Sequence, residues 1–209
     1  MALSKDPLNL IITGVGGQGN ILASQLTASA AIREGFYSSI GETYGASQRG
    51  GSVMSHVRFS KEFQYGPLIP KGEADVVLGF EPLETLRVLV DYGHDNTHVI
   101  FNPRPNYPIS VLSGQVAYPE LEDLFSKMKD LAVEVKVVEG TELAKELGTL
   151  VAQNVVMVGA LAASGLLDIP VGSFEETIAE VFEDSDKKRD FNMKAFQLGV
   201  KGFNEARAL

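Results

Sequence analysis

Three features of the sequence predict an α/β fold: a Rossmann-like three-layer sandwich with a mainly parallel sheet and C-terminal helices. Residues 8–13 form a short, unbroken apolar run ended by glycines, as in a parallel strand buried on both faces. A glycine-rich turn then opens a helical stretch over 19–34. Two further apolar runs, 74–79 and 97–102, flank a helical segment, continuing the alternation of a parallel sheet. A chain of 209 residues is suited to one domain, here 1–209, with an α/β core over 1–148 and a helical part over 149–209.

In the helix over 19–34, Leu22, Leu26 and Ile32 supply bulk, while Ala23, Ala28, Ala30 and Ala31 permit close packing on a sheet. Gly35 is placed to end it. Residues 36–40 read as a second strand, so the chain opens with a βαβ unit. Residues 42–51 have no helical periodicity and run directly into an alternating strand over 52–59, leaving no room for a crossover helix. Residues 65–72 read as loop, and a helix starts at Pro82 and ends at Asp91. Pro103, Pro105 and Pro108 exclude regular structure after the strand at 97–102. Then follow a helix over 119–131, a strand over 133–138 and a short helix over 141–147 stopped by Gly148. The stretch 149–167 is apolar nearly all round and predicts a helix buried on most faces. Residues 173–183 place Phe174, Ile178, Val181 and Phe182 on one stripe, and 187–208 read as a last, more polar helix.

Composition excludes several functions. A formal charge of −9 does not suit a nucleic-acid backbone. The absence of cysteine removes disulfides, thiol catalysis and Cys-ligated zinc or iron–sulfur clusters. Of the three histidines, His94 and His98 flank Asn96 in a turn-like stretch and read as ordinary surface residues, so no metal site is expected. The first residues lack a signal-peptide layout, and the longest apolar stretch, 155–167, falls short of a membrane span, so a cytoplasmic location without membrane contact is expected.

Gly14-Val15-Gly16-Gly17-Gln18-Gly19 matches G-x-G-x-x-G directly after a predicted strand and at the start of a predicted helix. Glycines there allow a tight turn and close backbone approach, and the free N–H groups at the helix start face any anion present. Two readings stay open: phosphate binding, or a sharp turn serving only helix–sheet packing. A dinucleotide also needs a carboxylate roughly 20 residues beyond the loop, and Glu42 lies near that place. Its fold needs a second helical crossover as well, which 42–59 lacks. The loop therefore favours another pyrophosphate-containing ligand, such as coenzyme A, over the NAD or FAD of a self-sufficient oxidoreductase.

The segment Glu42-Thr43-Tyr44-Gly45-Ala46-Ser47-Gln48-Arg49-Gly50-Gly51-Ser52 gathers an acid, an arginine, hydroxyls and glycines at the strand ends where α/β sites form. Arg49 beside Gly50 and Gly51 suits a phosphate or carboxylate; the alternative is an arginine paired with Glu42 in a structural loop. Together with Pro67-Leu68-Ile69-Pro70 and Ala74-Asp75-Val76-Val77-Leu78-Gly79-Phe80-Glu81-Pro82, these motifs resemble the gamma domain of pyruvate and ketoisovalerate ferredoxin oxidoreductases. Ser47 to Arg58, Pro67 to Pro70 and Glu81-Pro82-Leu83-Glu84 are most similar to the beta subunit of indolepyruvate:ferredoxin oxidoreductases. The resemblance spans 9–167 and returns in Asn154-Val155-Val156-Met157-Val158-Gly159-Ala160.

The resemblance implies oxidative decarboxylation of a 2-oxoacid, indolepyruvate or another aryl pyruvate. In that chemistry thiamine diphosphate forms the carbanion, iron–sulfur clusters carry electrons to ferredoxin, and coenzyme A takes the acyl group. With no cysteine, and no Gly-Asp-Gly segment followed by asparagine, this chain is expected to leave thiamine diphosphate and clusters to a partner catalytic subunit, and to meet ferredoxin only through the complex. No catalytic residue and no metal ligand falls on it. The resemblance carries an anion-binding role to Gly14, Gly16, Gly17, Gln18 and Gly19. It carries contact with the site or the partner to Glu42, Thr43, Ser47, Arg49, Gly50 and Gly51. Tyr44 stands where relatives often have histidine. The apolar helix over 149–167 further predicts contacts with a second copy, as a homodimer, or with another chain; a pure assembly module, its glycine loop structural only, is the remaining alternative.

Overall fold

A computed structural model describes residues 5–44, 50–107 and 109–209. Strand β1 (Leu8–Val15) is buried along its whole length, and α1 (Asn20–Arg33) follows the glycine turn. The hairpin of β2 (Tyr37–Tyr44) and β3 (Ser52–Ser60) comes next, then β4 (Val76–Gly79), α2 (Pro82–Tyr92) and β5 (His98–Phe101). The chain continues with α3 (Ile109–Leu112), α4 (Leu121–Leu131), β6 (Glu134–Val137) and α5 (Gly140–Glu146). A 3-10 turn (Leu150–Ala152), α6 (Gln153–Ser164), α7 (Val171–Val181), α8 (Asp186–Asn204) and β7 (Arg207–Ala208) complete it.

These strands form one sheet in the order β2-β3-β1-β4-β5-β6-β7. The β1, β4, β5 and β6 strands pair in parallel, while β3 lies antiparallel between β1 and β2, and β7 is antiparallel to β6. Strand β2 thus runs in the same direction as β1, with β3 between them. The expected opening βαβ unit is therefore a split one, because the β2–β3 connection is too short for a crossover and must fold back as a hairpin.

Alternation of side chains across the sheet builds two cores. Leu10, Ile12, Val57, Val76, Leu78 and Ile100 face α1 and the C-terminal helices. Ile11, Val77, Val99, Val135 and Val137 face Leu86 and Leu89 of α2 and Leu124 and Met128 of α4. The result is a three-layer α/β arrangement whose mixed sheet is built on the parallel run β1-β4-β5-β6.

Several expectations need correction. Glu42, Thr43 and Tyr44 belong to β2 and not to a loop; the ladder to Ser55, Met54 and Val53 holds them extended. The last helix ends at Asn204, and residues 207–208 pair with β6. Ile32 of α1 and Val181 of α7 point to solvent and add nothing to the core. A helical turn, α3, also follows directly after the proline segment.

The apolar helix is accounted for within the chain. Residues 153–162 of α6 are all buried, with α8 packed along α6 and α1, α5 and α7 around it. The contact is closest where Gly159 and Gly199 meet: a Cβ on Gly199 would overlap Val156 O, and one on Gly159 would overlap Phe196 O. An interface with another chain must use a different surface. Among the described residues no helix is long and apolar enough to cross a membrane.

His56 of β3 sits under the 61–73 loop, on the face opposite α1. Its Nδ1 accepts the Ile69 N–H at 3.2 Å, which places the ring proton on Nε2, 3.5 Å from Thr43 Oγ1. Burial, and then the neighbouring Arg58 charge, hold its pKa below the usual 6.5. A base depressed on folding adds stability that is complete above pH 6.5 and is lost as pH falls from there toward the folded value. The melting temperature is thus expected to fall between pH 7 and 5, and His56→Gln, whose amide oxygen can accept the Ile69 proton, to flatten that slope. Parallel slopes in the two proteins would refute the assignment.

Candidate functional site

Helix α1 leaves β1 toward one face of the sheet and α2 leaves β4 toward the other, so the crevice of a parallel α/β sheet opens at the C-terminal ends of these adjacent strands. The glycine segment fills that position. Gly17 at φ +106° and Gly19 at φ +86° adopt the left-handed conformation that the turn requires, and Gly19 caps α1. The glycines divide by role. A Cβ on Gly14 would lie 2.6 Å from Gln18 Oε1 and 3.1 Å from Phe80 Cβ, and one on Gly19 would overlap the Asn154 side chain; both glycines serve close packing. Gly17 has no neighbour within 4 Å of that position and faces open space.

Gly16, Gly17 and Gln18 form one wall of a cavity of about 330 Å³, completed by Arg104 to Asn106, Thr141 and residues 150, 151 and 153. Its floor is organised around one carbonyl. Phe80 O, at the end of β4, accepts from Gln18 Nε2 (3.1 Å), Asn102 Nδ2 (3.2 Å) and Gln153 Nε2 (2.9 Å). Three amide donors on one oxygen tie the glycine turn, the segment after β5 and the start of α6 to a single point. Gln18 Oε1 accepts the Val15 N–H at 2.7 Å, and Asn102 Oδ1 the Thr141 N–H at 2.9 Å, so each amide is engaged through both its oxygen and its nitrogen.

The electrostatics of the cavity favour an anion. Helices α1 and α6 both begin beside it, and neither has an acidic residue in its first turn to offset the positive end of its dipole. Arg104 is exposed, and among the described residues its guanidinium has no hydrogen-bond or ion-pair partner. Among the described residues no carboxylate lines the cavity, although the chain carries a formal charge of −9.

The segment carrying Arg104 is anchored beside it. Glu81, fully buried, caps α2 by accepting the Glu84 N–H at 2.9 Å, and its carboxylate also accepts the Tyr118 hydroxyl and the Asn106 N–H. Burial pushes the Glu81 carboxyl above its ordinary range, opposed by these hydrogen bonds. Burial, then the bond to Glu81, pushes Tyr118 up as well, so the shared proton stays on the tyrosine. The Tyr107 ring packs edge-on against Tyr118 at 5.1 Å.

The sequence-derived site residues separate. Gly16, Gly17 and Gln18 line the cavity. Gly50 and Gly51 buttress it: Gly16 N–H donates to Gly51 O at 2.8 Å and Gly50 N–H to Gly16 O at 3.3 Å. Glu42 accepts from Ser24 Oγ (2.9 Å) and Ser55 Oγ (2.6 Å), so the carboxylate a ribose would require is already committed. Thr43 projects to the opposite face, beside His56. Ser47 and Arg49 lie outside the described residues. Arg104, Asn106, Thr141 and Gln153 escaped sequence reasoning. Arg104 had a legible signal in Asn102-Pro103-Arg104-Pro105-Asn106, a cation stiffened between two prolines next to a strand end.

Comparison with known proteins agrees with this architecture. The model of the family described as pyruvate ferredoxin/flavodoxin oxidoreductase matches residues 9–202. Indolepyruvate oxidoreductase subunit IorB of Thermococcus kodakarensis is 41% identical over 200 residues, covering 94% of this chain and 96% of that protein. Pyruvate oxidoreductase subunit PORC of Thermotoga maritima superposes with a TM-score of 0.70 at 21% identity, covering 98% of this chain and 99% of that one. The 2-oxoglutarate:ferredoxin oxidoreductase of Magnetococcus marinus, solved with 2-oxoglutarate, coenzyme A and succinyl-CoA bound, gives a TM-score of 0.73 at 24% identity. There the match covers 97% of this chain but 32% of the other.

Proposed function

Since the chain belongs to the pyruvate ferredoxin/flavodoxin oxidoreductase family, we propose that it holds coenzyme A for a complex that oxidatively decarboxylates indolepyruvate or another aryl pyruvate. It is a small subunit of a 2-oxoacid:ferredoxin oxidoreductase. The substrate assignment rests on its likeness to an indolepyruvate oxidoreductase subunit. The coenzyme A assignment rests on the cavity, where Arg104, without a partner among the described residues, shares the wall with the glycine turn and with no described carboxylate.

The donor set fits a diphosphate. The N–H groups of Val15, Gly16 and Gln18 are bonded within the chain, so the fixed dipoles come from the Gly17 N–H and the two helix starts, and the guanidinium supplies a fork for phosphate oxygens. A cavity of about 330 Å³ is at the small end of ligand sites, enough for the polar part of coenzyme A but open on one side. Its wall includes exposed Leu150 and Val151, apolar side chains suited to cover by a partner. In the reaction, 2-oxoacid and coenzyme A give acyl-coenzyme A and carbon dioxide, and two electrons pass to ferredoxin. This chain has no thiol to ligate a cluster, so the redox centres and thiamine diphosphate fall to the companion, which also shapes the 2-oxoacid pocket. What this chain contributes is position: it fixes the diphosphate so that the thiol reaches the acyl group with little orientation left to lose.

Co-expression with the companion is expected to yield a complex that reduces ferredoxin only when both an aryl pyruvate and coenzyme A are present, and the chain alone to be inert. Ferredoxin reduction by the isolated chain would overturn the proposal.

A further inference from the structure

We propose that Glu81 and Tyr118 are positioning residues that hold Arg104 over the cavity, so that their effect on anion binding passes through the guanidinium. The inference rests on the reading of this cavity as the seat of coenzyme A.

Arg104 lies on a short bridge fixed at both ends. At one end Asn102 is 1% exposed and bonded to Phe80 O and Thr141 N. At the other the Asn106 N–H is received by the Glu81 carboxylate and the Tyr107 ring rests on Tyr118. Pro103 and Pro105 restrict the backbone between them, the second by keeping Arg104 out of the helical region. Tyr118 takes the Leu83 N–H on its oxygen and gives its own proton to Glu81, joining the segment before α4 to the start of α2. The guanidinium has no bonds of its own among the described residues, so its position depends on this frame.

With its backbone fixed at both ends, Arg104 should lose less freedom when an anion arrives, and loosening the frame should weaken binding without touching the chemistry. In the assembled complex, Tyr118→Phe is expected to raise the KM for coenzyme A about five- to tenfold, the scale of one hydrogen bond's contribution, with kcat and the 2-oxoacid KM unchanged. Tyr107→Leu, which loosens the bridge from its exposed side, should act in the same direction and keeps the test available if Tyr118→Phe folds poorly. The deciding measurement is the double variant. If Tyr118 acts through Arg104, then Arg104→Ala/Tyr118→Phe has the KM of Arg104→Ala alone.

Two results overturn the proposal, and they differ. If Arg104→Ala raises the KM but the Tyr118→Phe penalty is absent, or persists in full in the double variant, the positioning role fails and the coenzyme A reading stands. If Arg104→Ala leaves the KM unchanged, the coenzyme A reading fails and the positioning role falls with it.

Discussion

Replacing Gly199 by alanine is expected to lower the melting temperature by about 6–12 °C, a loss of roughly 3 kcal/mol in a chain of this size. On an exposed helix the same change would be favourable, since alanine is better than glycine by about 1 kcal/mol. Here the added methyl would coincide with Val156 O and crowd Ala160 N, both backbone atoms of α6 that cannot swing aside as a side chain would. Relief requires α6 and α8 to separate, and with them the layer that buries Val155, Val158, Phe174 and Phe196. Gly172, in the first turn of α7, has an ordinary φ and no atom within 4 Å of where a Cβ would stand, so Gly172→Ala is the control. It should change stability by less than about 1 kcal/mol. Thermal unfolding of the two variants side by side decides the matter: similar melting temperatures would mean that α6 and α8 do not meet as described.

That crossing shows why some of the fold could be read from the sequence and some could not. Strand β1 was legible because it is buried on both faces and therefore apolar without interruption, and α1 because glycine punctuates both its ends. Helix α6 was legible as buried, but not what buries it. Apolarity all round reports that something covers each face, and only the packing of α8 and its neighbours shows that the cover comes from within the chain. The end of β2 was missed for the opposite reason. Glu42 and Thr43 are polar on both faces because one bonds Ser24 and Ser55 while the other meets His56, so the strand leaves no apolar alternation to read. Strand β7 is two exposed residues held by ladder pairing alone. The site divides along the same line. Its glycine wall carries a motif, because backbone geometry demands a residue type there. Its floor is gathered by the Phe80 carbonyl, and a backbone acceptor leaves no mark on residue identity.

Arg104→Glu is expected to raise the KM for coenzyme A by roughly 100-fold in the assembled complex, since it exchanges a charge-assisted fork for a carboxylate facing phosphate oxygens. The side chain is exposed and makes no bond within the described residues, so stability should hardly change and the loss can be assigned to the ligand. Arg104→Lys keeps the charge and loses the planar fork, and should fall between, at about tenfold. Charge also predicts the response to salt: affinity in the parent complex should decline as ionic strength rises, and Arg104→Glu should blunt or reverse that trend, because the interaction being screened has changed sign. Pantetheine offers the sharpest comparison, since it presents the same thiol without the diphosphate. If the guanidinium acts on the phosphates, pantetheine turns over equally in parent and Arg104→Glu complexes while coenzyme A loses its advantage in the variant. An equal loss with both thiols would place the defect in assembly or in acyl transfer, and would remove Arg104 from the binding site.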